Sequence, residues 1–184
     1  MLYRRWLPLL LAKSLLVWAC SPRLPELDRI EQLQKEMRRT LNTEGPKSGR
    51  FLNLALDLVR AEEAFVQKYP NHLEVPHMLL EIAEINATYF DDPRTAVGYL
   101  RRIDTQFRKK SPLAPKALFY EAFIYENMLY DTTQARRLYE DFLSHYPEHE
   151  LADEVRASLA NLGKTPEGLL EEILKGSRSS KSLQ

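Results

Sequence analysis

EVPHMLLEIAEINATYFDDPRTAVGYLRRIDTQF (74–107) is followed by LAPKALFYEAFIYENMLYDTTQARRLYEDFLSHY (113–146), and laying the second on the first decides the fold. At a shift of 39 residues, without a gap, Pro76 falls on Pro115, Leu79 on Leu118, Leu80 on Phe119, Ala83 on Ala122 and Ile85 on Ile124. The register continues with Asp92 on Asp131, Ala96 on Ala135, Leu100 on Tyr139, Ile103 on Phe142 and Phe107 on Tyr146. A fixed period of this length marks a repeat array, in which each unit buries its apolar face only against its neighbours. Within each copy the apolar residues recur every three or four positions, so each copy is a pair of helices. No segment alternates apolar and polar residues over five or more positions, as a half-buried strand would.

Working outward, Leu54, Leu58, Ala61, Phe65 and Tyr69 form a stripe on a helix that Pro70 ends, the second half of a preceding unit. Apolar-periodic segments then cover 74–90, 93–109, 113–129, 132–146, 150–162 and 166–175. Tyr146-Pro147 closes the last full hairpin, and 150–162 begins another that is not completed. Leu169, Leu170, Ile173 and Leu174 are expected to cap the open end. Small alanines at matched positions let paired helices approach, and large residues fill the gaps between pairs. The expected fold class is all-α: a helical-hairpin solenoid of about three repeats with flanking helices, the minimum at which such an array is stable. Upstream, Leu27, Ile30, Leu33, Met37 and Leu41 make one stripe over residues 26–41. That helix either seeds a coiled coil or packs on the neighbouring domain, and it is short of the three or four heptads the first option needs. NTEGPKSG (42–49) is a breaker segment behind it.

At these residues the chain resembles the tetratricopeptide repeats. Ala122, Tyr125, Ala135, Tyr139 and Pro147 fit the small–aromatic–small–aromatic–proline signature, with a turn one residue longer than usual. In the preceding unit Ala83 and Ala96 fit, whereas Asn86 stands at the aromatic position and Arg108 at the proline position. The joints KYPNHLEVP (68–76), QFRKKSPLAP (106–115) and HYPEHELAD (145–153) are similar to those of a bacterial subgroup that includes the YbgF/CpoB and BamD proteins. The resemblance covers roughly residues 50–175 and implies a groove lined by the first helix of each hairpin. Carried onto this register, the groove positions are His77, Leu80, Glu84 and Thr88 in one repeat and Lys116, Phe119, Phe123, Glu126 and Asn127 in the next. The two phenylalanines either anchor a peptide or pack inside.

The amino end reads MLYRRWLPLLLAKSLLVWAC (1–20). Arg4 and Arg5 precede an apolar run of about fourteen residues, the layout of a signal peptide and shorter than the roughly 20 residues of a membrane span. Val17-Trp18-Ala19-Cys20 resembles the bacterial lipobox, which implies cleavage before Cys20 and acyl chains on that residue. Two or three such chains give a stable anchor. The resulting organisation is a lipoprotein signal peptide (1–19), a lipidated cysteine and tether (20–25), an amphipathic helix and linker (26–49), the repeat domain (50–175) and a polar tail (176–184). Ser21 after the cysteine is compatible with an outer membrane facing the periplasm.

Charge and chemistry then limit the function. The 26 basic and 26 acidic residues cancel, and removal of Arg4, Arg5 and Lys13 with the signal leaves 23 bases against 26 acids, a net of −3. Nucleic-acid binding has no electrostatic footing in such a chain. A single cysteine precludes an internal disulfide or a cysteine-rich metal site. His145 and His149 are four apart, but Pro147 between them breaks the helix that would make them ligands, so they read as loop histidines. Glu62-Glu63 and Glu171-Glu172 read as solvated helix faces rather than acid/base pairs. Asn86-Ala87-Thr88 fits the N-glycosylation pattern but lies mid-helix, and Asp131-Thr132-Thr133 reads as a helix cap or an O-glycosylation site. No cofactor, metal or catalytic constellation is expected. What remains is binding of unidentified envelope proteins or peptides, with self-association open. The leading expectation is a non-enzymatic scaffold in envelope biogenesis or division. The alternative is a subunit of an outer-membrane protein assembly machine of BamD type, although such proteins carry about five repeats.

Overall fold

The computed structural model describes residues 24–164. Among them are seven α-helices and no strands: α1 (Pro25–Glu44), α2 (Gly49–Lys68), α3 (Val75–Tyr89), α4 (Pro93–Phe107), α5 (Ala114–Asn127), α6 (Thr132–His145) and α7 (Ala152–Asn161). Each helix packs on the next along the chain, as in a helical-hairpin solenoid. The expected signal peptide at 1–19, Cys20, the final apolar stripe at 166–175 and Glu171-Glu172 lie outside the described residues.

The 39-residue register holds at the level of elements, since α3 and α5 start at Val75 and Ala114, and α4 and α6 at Pro93 and Thr132. Their turns are copies of one another. Asp91 and Tyr130 both adopt the left-handed region, at φ 52° and 56°. The following amide then reaches back six residues, from Asp92 to the Asn86 carbonyl (3.0 Å) and from Asp131 to the Tyr125 carbonyl (2.8 Å). That bond satisfies a carbonyl left without an intrahelical partner at the helix end. Each aspartate next caps the following helix. The Asp92 carboxylate accepts from the Thr95 amide (3.1 Å), and that of Asp131 from the Gln134 amide (3.0 Å). A cap of this kind contributes about 1 kcal/mol.

The joints between hairpins also share a device. His72, Ser111 and His149 occupy the same place, and each side chain accepts a hydrogen bond from the amide two residues on, at 3.2, 3.1 and 3.2 Å. The rings of His72 and His149 stand edge-on to Phe65 and Phe142, at 5.1 and 5.7 Å between centroids. Both are structural parts of their joints, so His149 is not a free loop histidine. The middle joint lacks the proline of the others and carries Arg108 instead. Its guanidinium donates to Asp104 (2.6 and 2.8 Å), to Asp141 on α6 (2.8 Å) and to the His145 ring (2.9 Å), tying the second hairpin to the third.

Helix α1 runs on to Glu44, so the break before α2 shrinks to Gly45–Ser48. Gly45 turns the chain at φ 82°, and Ser48 accepts from the Phe51 amide at 3.1 Å to start α2. α1 therefore pairs with α2 as a first hairpin, giving three hairpins followed by α7. Ile30, Leu33 and Met37, from the stripe on α1, are buried. Lys68 and Glu26 join the far ends of the pair at 2.5 Å.

Ala83, Ala96, Ala122 and Ala135 are all fully buried where paired helices cross. One apolar core runs beneath α1 to α5, with Phe51, Leu58, Phe65, Leu79, Leu100 and Ile103 among its members. A second lies under α5, α6 and α7 around Tyr139 and Phe142, and Ala152, Val155 and Leu162 cover its outer side. Each such side chain, fully buried, contributes about 1.5–3 kcal/mol.

Candidate functional site

α1, α3 and α5, the first helices of the three hairpins, line two adjoining clefts. The first, of about 490 Å³, lies between α1 and α3 with α2 beneath it, and its walls include Ile30, Gln34, Glu62, His77, Met78 and Glu81. The second, of about 440 Å³, is bounded by Met37 of α1, by Glu84, Ile85 and Thr88 of α3, and by Lys116 and Phe119 of α5. Gln34 donates to Glu81 at 2.5 Å across the first, and Lys116 donates to Glu84 at 3.0 Å across the second.

Of the nine groove positions expected from the sequence, His77, Thr88, Lys116, Phe123 and Asn127 are exposed and Glu84 is half-buried. Leu80 is a correction. At 6% exposure it belongs to the core, and it lines neither cleft. The register set it on Phe119, and both turn inward to different depths. Phe119 is half-buried, 6.2 Å from the Tyr139 ring. Glu126 is also engaged in packing, accepting from the Tyr139 hydroxyl at 2.7 Å. Phe123, by contrast, is 42% exposed and is the phenylalanine free to touch a partner. The Asn127 amide donates to the Phe123 carbonyl at 3.0 Å.

Residues 116–149 match the tetratricopeptide repeat family. The match takes in α5 from Lys116, all of α6 and the joint up to His149, and so contains five of the nine groove positions. No curated protein and no solved structure shows significant similarity to the chain. The hairpin before the matched tetratricopeptide repeat has the same turns, caps and crossing alanines, so the fold is a solenoid of that type. Asn86, which replaces the repeat's aromatic, is buried and donates to the Ile82 carbonyl at 2.8 Å, which keeps it from any glycosyl-transfer enzyme in the folded chain.

One residue of the first cleft is not where its sequence neighbourhood suggests. Glu62-Glu63 reads as a solvated pair, yet only Glu63 is exposed, where it accepts from the Tyr99 hydroxyl. Glu62 is 0% exposed and neither carboxyl oxygen has a hydrogen-bond partner. Burial, and then the adjacent Glu81 carboxylate, push its pKa up to about 10, so it is protonated at neutral pH. A sequence signal for this existed. The joints place Glu62 in register with Leu100 and Tyr139, both fully buried.

Proposed function

We propose that the chain is a lipid-anchored, non-enzymatic scaffold of the bacterial cell envelope that recruits proteins or peptides through the face shared by α1, α3 and α5. The observation that carries this reading is the pair of clefts along that face, in a solenoid whose third hairpin matches a family of protein-binding repeats. Such repeats generally bind protein partners and are typically not enzymes. The anchor rests on Val17-Trp18-Ala19-Cys20 behind a short apolar run, and Ser21 is compatible with the outer membrane, facing the periplasm. Among the described residues no helix is long and apolar enough to cross a membrane; acyl chains on Cys20 would supply the attachment.

A crosslinked pull-down from envelopes tests the scaffold. Recovery of defined partner proteins is expected, and loss of them on Phe123→Ala or Lys116→Glu ties them to this face. Recovery of the chain alone would sink the idea. Mass spectrometry of the amino-terminal peptide tests the anchor separately, with diacylglyceryl-modified Cys20 expected and an unmodified Met1 end ruling it out.

A further inference from the structure

The first cleft has a chemistry that the other hairpins lack. Leu100 in the second hairpin needs no polar partner, and Tyr139 in the third has Glu126. Glu62 occupies their register position with two buried, unpartnered oxygens, a destabilising state. A fold does not retain such a group for stability when a leucine serves the same position one repeat later. The group faces a cleft, and the other titratable groups lining that cleft are Glu31 of α1 and Glu74, His77 and Glu81 of α3. Four of these five groups are carboxyls. Ile30 and Met78 give the cleft apolar walls leading to them. Apolar walls ending in carboxylates suit a side chain with a methylene stem and a cationic head. Arginine suits it best, because its planar guanidinium can serve two carboxylates at once and desolvates more readily than an ammonium.

We propose that the cleft between α1, α2 and α3 receives an arginine side chain from a basic segment of a partner protein, with its guanidinium between Glu62 and Glu81. The assignment rests on the protein-binding reading above and names the chemistry of one subsite. A net charge of −3 on the chain after Ala19 favours the approach of a basic segment. The guanidinium supplies the hydrogen-bond donors that Glu62 lacks and favours its ionised form. Burial and Glu81 keep the carboxyl protonated in the free protein, so each binding event expels a proton. Affinity therefore rises with pH, by up to about tenfold per pH unit for one proton released.

Calorimetric titration of the full chain with acetyl-Ala-Leu-Arg-Leu-Ala-amide, and with the same peptide carrying citrulline for arginine, tests the assignment. The arginine peptide should bind on the order of tenfold tighter than its neutral isostere. Its heat should depend on the ionisation enthalpy of the buffer, and its affinity should rise between about pH 6.5 and 8.5. Glu62→Gln should abolish the proton release and the preference for arginine together. If that variant does not fold, Glu81→Gln, at the half-buried rim, should weaken the preference in its place. Equal binding of the two peptides, or a proton release that persists in Glu62→Gln, overturns the assignment and leaves the scaffold reading standing. Binding that appears only after residues 176–184, with Arg178 and Lys181, are deleted gives the cleft to the chain's own tail and also overturns it. The scaffold reading itself fails only by the pull-down.

Discussion

Among the described residues three acidic side chains are buried, and the two deepest, Glu62 in the first hairpin and Glu121 in the third, differ in their surroundings; the other, Asp104, is paired with Arg108. Glu121, 2% exposed, receives two hydrogen bonds from the Arg101 guanidinium, at 3.0 and 3.3 Å. The same arginine also donates to the Tyr125 hydroxyl at 3.1 Å, so α4 is held to α5 by a small network. Burial still raises the Glu121 pKa, and Arg101 opposes that rise. Glu62 has no cation, and its strongest electrical neighbour is another acid. A buried charge with its partner fastens two hairpins together. A buried acid without one weakens the hairpin that holds it and stays available to something outside the chain.

Copying the Glu62 condition into the third hairpin should have the largest effect. Tyr139→Glu removes a fully buried ring and sets a new acid against Glu126, and we expect a loss of about 4 kcal/mol, read from the urea midpoint. A loss below about 1 kcal/mol would mean that the position tolerates acids in general, and Glu62 would cease to be special. Next, Arg101→Met strips Glu121 of its partner. Half of the arginine is in water, so the expected loss is about 2 kcal/mol, less than for a fully buried pair. An unchanged midpoint would show that the network does not fasten α4 to α5.

Glu62→Leu should act in the opposite direction, raising stability at pH 7 by about 2 kcal/mol because it removes an unsatisfied buried acid. The sign of the pH dependence follows from the raised pKa. Between the ordinary value of 4.5 and about 10 the folded chain holds a proton that the unfolded chain has released. Stability from this group therefore falls as pH rises through that window, by up to about 1.4 kcal/mol per unit. Thermal melts at a series of pH values should show that slope in the natural chain and its loss in Glu62→Leu. Parallel curves would break the contrast between the two acids. The smallest effect belongs to Tyr130, 82% exposed and left-handed at φ 56°. Tyr130→Gly should gain about 1 kcal/mol by relieving that backbone, whereas Asp91→Gly, at the matching turn, should gain less because aspartate tolerates the conformation better.

The solenoid was legible because its signal is redundant. Pro76 and Pro115, Asp92 and Asp131, and the four crossing alanines each report the same register, so the hairpins and their caps follow from any of them. The first hairpin was harder to read. α1 carries a clear stripe, but NTEGPKSG suggests a wider break than the four-residue turn at Gly45–Ser48, so α2 appears as half a unit whose partner is α1. Site residues depend on depth, and period alone does not supply depth. Leu80 and Phe119 share a register position, yet one is core and the other half-exposed. Glu62 was hidden by Glu63, since two adjacent acids on a helix ordinarily face water. Reading Glu62 against Leu100 and Tyr139 would have exposed it.

His72, Ser111 and His149 each cap their joint through a bond made within the bend, and only the middle joint adds a distant tie, from Arg108 to α6. None of these three capping residues lines a cleft, so the cleft residues can change while the caps are preserved. A lineage of such chains could exchange one partner for another by altering the exposed positions of α1, α3 and α5 alone. Backbone geometry would then be inherited and specificity acquired, with different residues answerable for each.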